Sequence, residues 1–201
     1  MSKRIFDLVA AIFGLAFFSP LFLVISGLIK WRMPDGPVLF MQKRVGQHGK
    51  LFAIYKFRTM LVNHGGSSVS VKGESRITPL GSFLRKYKLD ELPELWNVLR
   101  GDMSFVGPRP DVPGYADNLE GKEREILTLK PGITGPATLK FANEEELLAL
   151  QPDPEKYNNE VLYPQKVLIN LSYIEHQSFI LDIKIIVYTL FGRKLKEHWL
   201  N

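Results

Sequence analysis

Residues 5–29 read IFDLVAAIFGLAFFSPLFLVISGLI, a run in which Asp7 is the only charge. Lys3 and Arg4 precede it, and Lys30, Trp31 and Arg32 follow. About twenty apolar residues in helical form cross the hydrocarbon core of a bilayer. The run is therefore long enough to span, and it is too apolar for an ordinary soluble core helix. A tryptophan among basic residues suits the headgroup layer. A cleaved signal peptide fits less well, because the run is long and ends in Lys-Trp-Arg without a small-residue cleavage pattern. Two arrangements remain. A straight span would leave both ends basic, so the positive-inside rule has nothing to discriminate. A re-entrant helix–break–helix would keep both basic ends at one face. Ser19-Pro20 lies mid-run; proline removes a backbone donor and bends a helix, and serine can satisfy part of what is released. The residues alone leave both arrangements open.

Beyond this run about 170 residues remain, enough to bury a core. Cysteine is absent, which excludes disulfides and a thiolate nucleophile. His48, His64, His176 and His198 are scattered without metal-ligand spacing. The net charge of +5 is unevenly placed: residues 41–89 hold ten Lys and Arg against Glu74 alone. Such a block attracts phosphates, nucleic acid or anionic lipid, unless it is only a solvated basic face.

Residues 38–41 and 51–57 are short and β-rich, and Gly46-Gln47-His48-Gly49 between them predicts a hairpin. Residues 63–76 are polar and Gly/Ser-rich, a loop. Thr78-Pro79 reads as an N-cap and first helical position, with Leu80, Phe83 and Leu84 on one face. Leu92, Leu95, Trp96 and Leu99 predict an amphipathic helix stopped by Gly101. Asn143 with Glu146 suggests a capping box, Asp153-Pro154 another helix start, and Ser178 the start of a final, largely apolar helix. That last helix suits a bilayer surface or the protein core equally. The class is α-rich α+β.

Residues 88–110, KLDELPELWNVLRGDMSFVGPRP, concentrate the chemistry. Asp90 and Glu91 follow the cations Arg85, Lys86 and Lys88. Neighbouring helical residues do not face each other, so the pair is unsuited to a glycosidase, whose carboxylates oppose each other across a sugar bond. A division of labour fits better: one carboxylate attacks phosphorus, and the other holds a hard cation such as Mg²⁺. Arg109, in a Pro-Arg-Pro turn, could neutralise a pyrophosphate. The plainer alternatives are a helix cap at Asp90, a dipole-favoured acid at Glu91 and a surface arginine. Pro93 weakens the first, since it lacks a donor that a cap would partly use.

The ordered motifs resemble the small monotopic phosphoglycosyl transferases, bacterial sugar transferases that begin O-antigen, capsule and glycoprotein glycan assembly. The resemblance runs from Lys3-Arg4-Ile5-Phe6-Asp7 and Ser19-Pro20 through Tyr55-Lys56-Phe57-Arg58-Thr59-Met60 to Leu89-Asp90-Glu91-Leu92-Pro93. It continues with residues 97–104, Gly107-Pro108-Arg109-Pro110, Pro131-Gly132-Ile133-Thr134-Gly135 and Leu181-Asp182-Ile183-Lys184. It implies a re-entrant anchor at residues 1–32 and a cytosolic catalytic domain at 33–201, with amphipathic interfacial helices, at the bacterial inner membrane. It implies transfer of a sugar-1-phosphate from a UDP-sugar to undecaprenyl phosphate, with UMP released. In that scheme Asp90 is the nucleophile, forming an aspartyl-phosphosugar. Glu91 is the Mg²⁺ ligand, and Asp182 is a supporting site residue. Arg109, with Pro108 and Pro110 around it, contacts nucleotide or phosphate, and Arg58 is a weaker phosphate candidate. Membrane lipids are partners, nucleic acid is not, and pairing with a second copy stays open. The rival reading is a membrane-anchored basic binding module without catalysis. Many members of the family continue Pro-Gly-Ile-Thr-Gly with Trp-Ala-Gln-Val-Asn-Gly. Here Pro136-Ala137-Thr138-Leu139-Lys140-Phe141 and then Asn143-Glu144-Glu145 stand instead, so the sugar cannot be carried over.

Overall fold

A computed structural model describes residues 3–62, 76–193 and 195. They fall into two compact units: residues 3–43, 53–62 and 76–101 in the first, and 44–52, 102–193 and 195 in the second.

In the first unit the apolar run forms one 30-residue helix, α1 (Lys3–Arg32), with Pro20 inside it. The helix assignment continues through the expected break. Proline 20 cannot bond to the carbonyl of Ala16, four residues back; the Ser19 hydroxyl donates to that carbonyl instead, at 2.8 Å. The ladder is thus repaired where it would have opened. Most of α1 is bare: Val9, Phe13, Phe17, Leu23 and Val24 are exposed, while Asp7, Ala11, Ile25 and Ile29 are buried. It is the one helix among the described residues long and apolar enough to cross a membrane.

Strands β1 (Leu39–Val45) and β2 (Leu51–Phe57) pair as the expected hairpin. Helix α2 (Pro79–Lys86) begins at Thr78, whose side chain accepts from the Gly81 N–H at 2.9 Å. The predicted face is only partly buried: Leu84 is enclosed, but Phe83 is exposed and packs on Tyr87 with ring centres 4.9 Å apart. Helix α3 (Glu94–Arg100) ends at Gly101, whose φ of 90° is the left-handed closure glycine allows. Its buried face differs from the apolar periodicity. Glu94, Leu95, Asn97 and Val98 are buried, and Trp96 is exposed. The reason is polar docking on β2, described below. Ile25, Ile29 and Met33 form the core of this unit with Phe57 and Leu84.

In the second unit β3 (Ser104–Val106) and β4 (Gly132–Thr134) form a parallel pair, Ser104 beside Gly132 and Val106 beside Thr134. A Cβ at Gly132 would stand 2.2 Å from the Gly107 nitrogen, and one at Gly135 would stand 2.3 Å from the Gly107 carbonyl oxygen. Backbone meets backbone here, which only glycine permits. Helices α4 (Pro136–Lys140), α5 (Glu144–Ala149) and α6 (Pro154–Tyr157) follow. Asp153 caps α6 by accepting from the Lys156 N–H at 2.9 Å. Asn143 precedes α5 without a side-chain cap bond, so the capping box does not form. A π-turn (Asn158–Leu162) leads into α7 (Tyr163–His176). Helix α8 (Phe179–Leu190) is capped by Ser178, which accepts from the Leu181 N–H. One face of α8 buries Leu181 and Ile185 with Val106, Leu139 and Tyr173. Its other side leaves Ile180, Leu190 and the following Phe191 exposed. The expected loop at 63–76 lies almost wholly outside the described residues, as do Lys194 and Lys196 beyond α8.

Candidate active site

The dyad sits on a short 3-10 turn, Leu89–Glu91, between α2 and α3. Lys88 reverses the chain just before it with φ of 56°, a left-handed conformation that costs a side-chain-bearing residue about 1 kcal/mol. Two fixed helices and a strained pivot therefore aim Asp90 and Glu91.

The partner of Glu91 is Lys56, which is placed by contacts between α3 and β2. Asn97, fully buried on α3, grips β2 twice: its amide donates to the Ala53 carbonyl at 2.7 Å, and its oxygen accepts from the Tyr55 N–H at 3.1 Å. That grip fixes the next residue, Lys56, against the acids. Its Nζ lies 2.8 Å from Glu91 Oε1 and 3.1 Å from Glu94 Oε1. Glu94 is one turn before Asn97, on the same side of α3. In the sequence Lys56 is visible only as part of the motif at residues 55–60, and Glu94 stands out in no way. Nothing in the sequence marks Glu94 and Asn97 as the face that docks, because the opposing strand is brought there only by the fold.

Asp90 has the contrasting environment. It is buried, and its Oδ1 makes no hydrogen bond among the described residues. Burial raises its pKa above the usual carboxylate range, and the charge of Glu91 adds to this; Lys56, Lys88 and Arg85 pull the other way. One acid is thus clamped by a lysine, and its neighbour presents a desolvated oxygen with no partner.

Arg58 also lies in the first unit. It is buried, and its guanidinium donates to the carbonyls of Met33 and Gly36, bracing β2 to the end of α1. Ser19 and Pro20 are exposed in mid-helix.

The second unit carries the other candidates. Pro108 and Pro110 are buried and Arg109 between them is exposed, at the edge of a recess lined by Val45, Ala116, Ile126 and Leu127. The parallel pair and its glycines hold this turn: the Gly107 N–H donates to Thr134, and the Gly132 N–H donates to Pro108 at 2.8 Å. Asp182, on the first turn of α8, is buried and accepts a hydrogen bond from the Tyr173 hydroxyl. It does not line the recess of Arg109. Asp90, Glu91 and Arg58 therefore belong to one unit, and Arg109 and Asp182 to the other.

A chain with a paired-acid turn, a lysine clamp and a long apolar helix has the equipment of a membrane-associated group-transfer protein. It belongs to the bacterial sugar transferase family, whose model matches residues 1–194. An uncharacterized sugar transferase of Bacillus subtilis is 37% identical over 188 residues, covering 94% of this chain and 85% of that protein. The UDP-glucose:undecaprenyl-phosphate glucose-1-phosphate transferase of Caulobacter vibrioides is 37% identical over 195 residues, covering 94% and 68%. The UDP-N-acetylgalactosamine-undecaprenyl-phosphate N-acetylgalactosaminephosphotransferase of Aeromonas hydrophila is 43% identical over 141 residues, 66% of this chain and 32% of that longer protein.

Proposed function

We propose that this chain transfers a sugar-1-phosphate from a UDP-sugar to undecaprenyl phosphate through an aspartyl-phosphosugar on Asp90. The carrying observation is the buried Oδ1 of Asp90 without a hydrogen-bond partner, beside a Glu91 already held by Lys56. A desolvated carboxylate is a stronger nucleophile than a solvated one. The relatives named for UDP-glucose and UDP-N-acetylgalactosamine transfer support the donor class and the lipid acceptor.

In the first step an Asp90 oxygen bonds to the β-phosphorus. The bond from that phosphorus to the bridging oxygen breaks, and UMP leaves with the electron pair. In the second step an oxygen of undecaprenyl phosphate bonds to the same phosphorus, and the phosphorus–Asp90 bond breaks. Carboxylate is regenerated, and the sugar is left on a lipid diphosphate. Glu91 keeps its place through Lys56 during both steps. Arg109, solvent-facing between two buried prolines, is suited to the nucleotide phosphates.

Mg²⁺ fits the residues present. It takes one or two carboxylates with substrate oxygens filling the rest of its shell. Two adjoining acids, one with an unpartnered oxygen, match that demand, and no cluster of three metal-binding side chains is found among the described residues. Glu91 would hold the ion. When bound, it would neutralise the pyrophosphate.

We also propose that α1 is re-entrant and that the catalytic residues face the cytoplasm, where nucleotide sugars are made. Arg4 donates to the carbonyls of Val98 and Leu99 at 2.6 and 2.9 Å, and Ile25, Ile29 and Met33 pack with Phe57 and Leu84. Both ends of α1 thus contact one unit, which supports both lying on one side of the bilayer.

The test is UMP release over a panel of UDP-sugars with undecaprenyl phosphate, followed by intact-mass analysis without acceptor. Asp90→Asn is expected to lose release and the covalent mass increase together. Full turnover by Asp90→Asn would sink the nucleophile assignment. Salt-sensitive lipid binding with no release from any donor would favour the non-catalytic reading.

A further inference from the structure

The Lys56 clamp contains one acid more than the proposed chemistry uses. Glu91 has a part there as the Mg²⁺ ligand, and Glu94 has none. Yet Glu94 is the more deeply enclosed, its side chain 2% exposed against 10% for Glu91. An acid in the first turn of a helix is favoured by the helix dipole, and it gains this while standing in water. Glu94 occupies that position on α3 but is turned inward onto Lys56, 3.1 Å from Nζ. Enclosing a carboxylate is costly unless it is paired and hydrogen-bonded. The docking of α3 on β2 does not call for this acid, because Asn97 already supplies two hydrogen bonds to that strand, at 2.7 and 3.1 Å. What Glu94 does is divide a cation. The Lys56 ammonium has three donors, and it reaches Glu91 Oε1 at 2.8 Å and Glu94 Oε1 at 3.1 Å. A lysine paired with Glu91 alone would offset nearly all of that carboxylate's charge. A lysine shared with Glu94 still fixes Glu91, and the three groups together keep a negative charge in excess.

We propose that Glu94 is a positioning residue for Glu91, acting through Lys56: it holds the ammonium in a shared geometry, so that Glu91 is fixed in place and keeps the charge to hold a divalent cation. The proposal rests on the transferase reading, in which Glu91 is the Mg²⁺ ligand. Mg²⁺ gives up its water reluctantly and is held by few carboxylates, so an acid fully offset by an ammonium makes a poor ligand. Lys56 orients, Glu94 restores the charge, and Glu91 binds.

The test uses the full chain in detergent with UMP present and Mn²⁺ as the probe. Free Mn²⁺ is read by electron paramagnetic resonance against a protein-free blank. Glu94→Gln keeps the shape and an acceptor for Lys56 while removing one negative charge. A unit charge a few ångströms from a doubly charged ion is worth about tenfold in affinity even under the screening of water. Mn²⁺ affinity is therefore expected to fall about tenfold, with the melting temperature close to that of the wild type. Lys56→Met combined with Glu94→Gln removes one charge of each sign, so its affinity is expected to exceed that of Glu94→Gln alone. In UMP release, the Mg²⁺ concentration giving half the maximal rate is expected to rise about tenfold in Glu94→Gln, and excess Mg²⁺ should recover most of the rate. A purely structural acid would lower the melting temperature and leave the metal dependence where it was; that result overturns the proposal. So does a double variant that binds Mn²⁺ no better than Glu94→Gln. If the wild type releases no UMP from any donor while the Mn²⁺ affinities follow the stated order, the transferase reading has failed and the role of Glu94 stands.

Discussion

Replacing Lys56 with methionine separates the two halves of the site most cleanly. The ammonium bridges Glu91 at 2.8 Å and Glu94 at 3.1 Å, and the Glu94 side chain is only 2% exposed. Methionine keeps the stem and removes the cation that these two enclosed carboxylates share. Stranding one partner of a buried pair costs about 3–5 kcal/mol. Lys56 retains some solvent contact, which places the expected loss near the lower bound, about 3 kcal/mol. Against a total of about 5–15 kcal/mol that is a large share. Equilibrium urea unfolding in detergent at neutral pH measures it. Adding Glu94→Gln is expected to restore part of the loss, because one stranded charge disappears. Activity carries a second signature. Lys56 lowers the Asp90 pKa that burial has raised. Without it the pKa rises further, less Asp90 is ionised near neutrality, and the acid limb of kcat/KM moves to higher pH. A stability loss below about 1 kcal/mol, the worth of an ordinary surface pair, together with an unmoved acid limb, would refute the reasoning.

Asp111→Asn is expected to stabilise the protein in a pH-dependent way. The folded pKa of about 6 lies above the ordinary aspartate value of 3.8, so the stability this group contributes is full below about pH 4 and is lost as pH rises through about 6. The variant should therefore melt higher than wild type at pH 8, by roughly 1–3 kcal/mol after allowing for partial exposure, and match it at pH 4. Gly132→Ala would drive a methyl to within 2.2 Å of the Gly107 nitrogen; a loss of about 3 kcal/mol with lowered UMP release is expected, and a wild-type melting temperature would contradict the close packing of β3 on β4. Ser19→Ala leaves the Ala16 carbonyl without its 2.8 Å donor. A melting-temperature drop worth about 1 kcal/mol is expected, with Ser19→Thr retaining wild-type stability.

Local signals carried much of the architecture. The apolar run, the hairpin, the Thr78-Pro79 and Asp153-Pro154 starts and the Gly101 stop each depend on a few neighbouring residues, and each appears where its chemistry demanded. What escaped depends on residues far apart. The β3–β4 pair joins two three-residue strands separated by a long segment, and no alternation marks strands so short. The face of α3 was misjudged because hydrophobic periodicity treats Glu94 and Asn97 as solvent-facing. Asn97 docks β2, and Glu94 is neutralised by Lys56, from 38 residues upstream. The Asn143 capping box failed because the backbone there does not adopt a cap conformation. In the site itself, Asp90, Glu91 and Arg109 stood out as residue types. Lys56 stood only inside a motif, since only the fold brings it to Glu91 and Glu94.

The bonds from Arg4 to the carbonyls of Val98 and Leu99 link residues 94 and 95 positions apart. Synthesis from the N-terminus at about 5–20 residues per second puts about 5–20 s between the appearance of Arg4 and that of its acceptors. Ile25 and Ile29 wait only for Phe57 and Leu84, whereas the Arg4 end waits for the end of α3. In the meantime the exposed apolar length of α1 is of a kind that suits lipid. The clasp between Arg4 and the end of α3 is thus among the last contacts of this unit to close, made by a guanidinium that has waited for its acceptors.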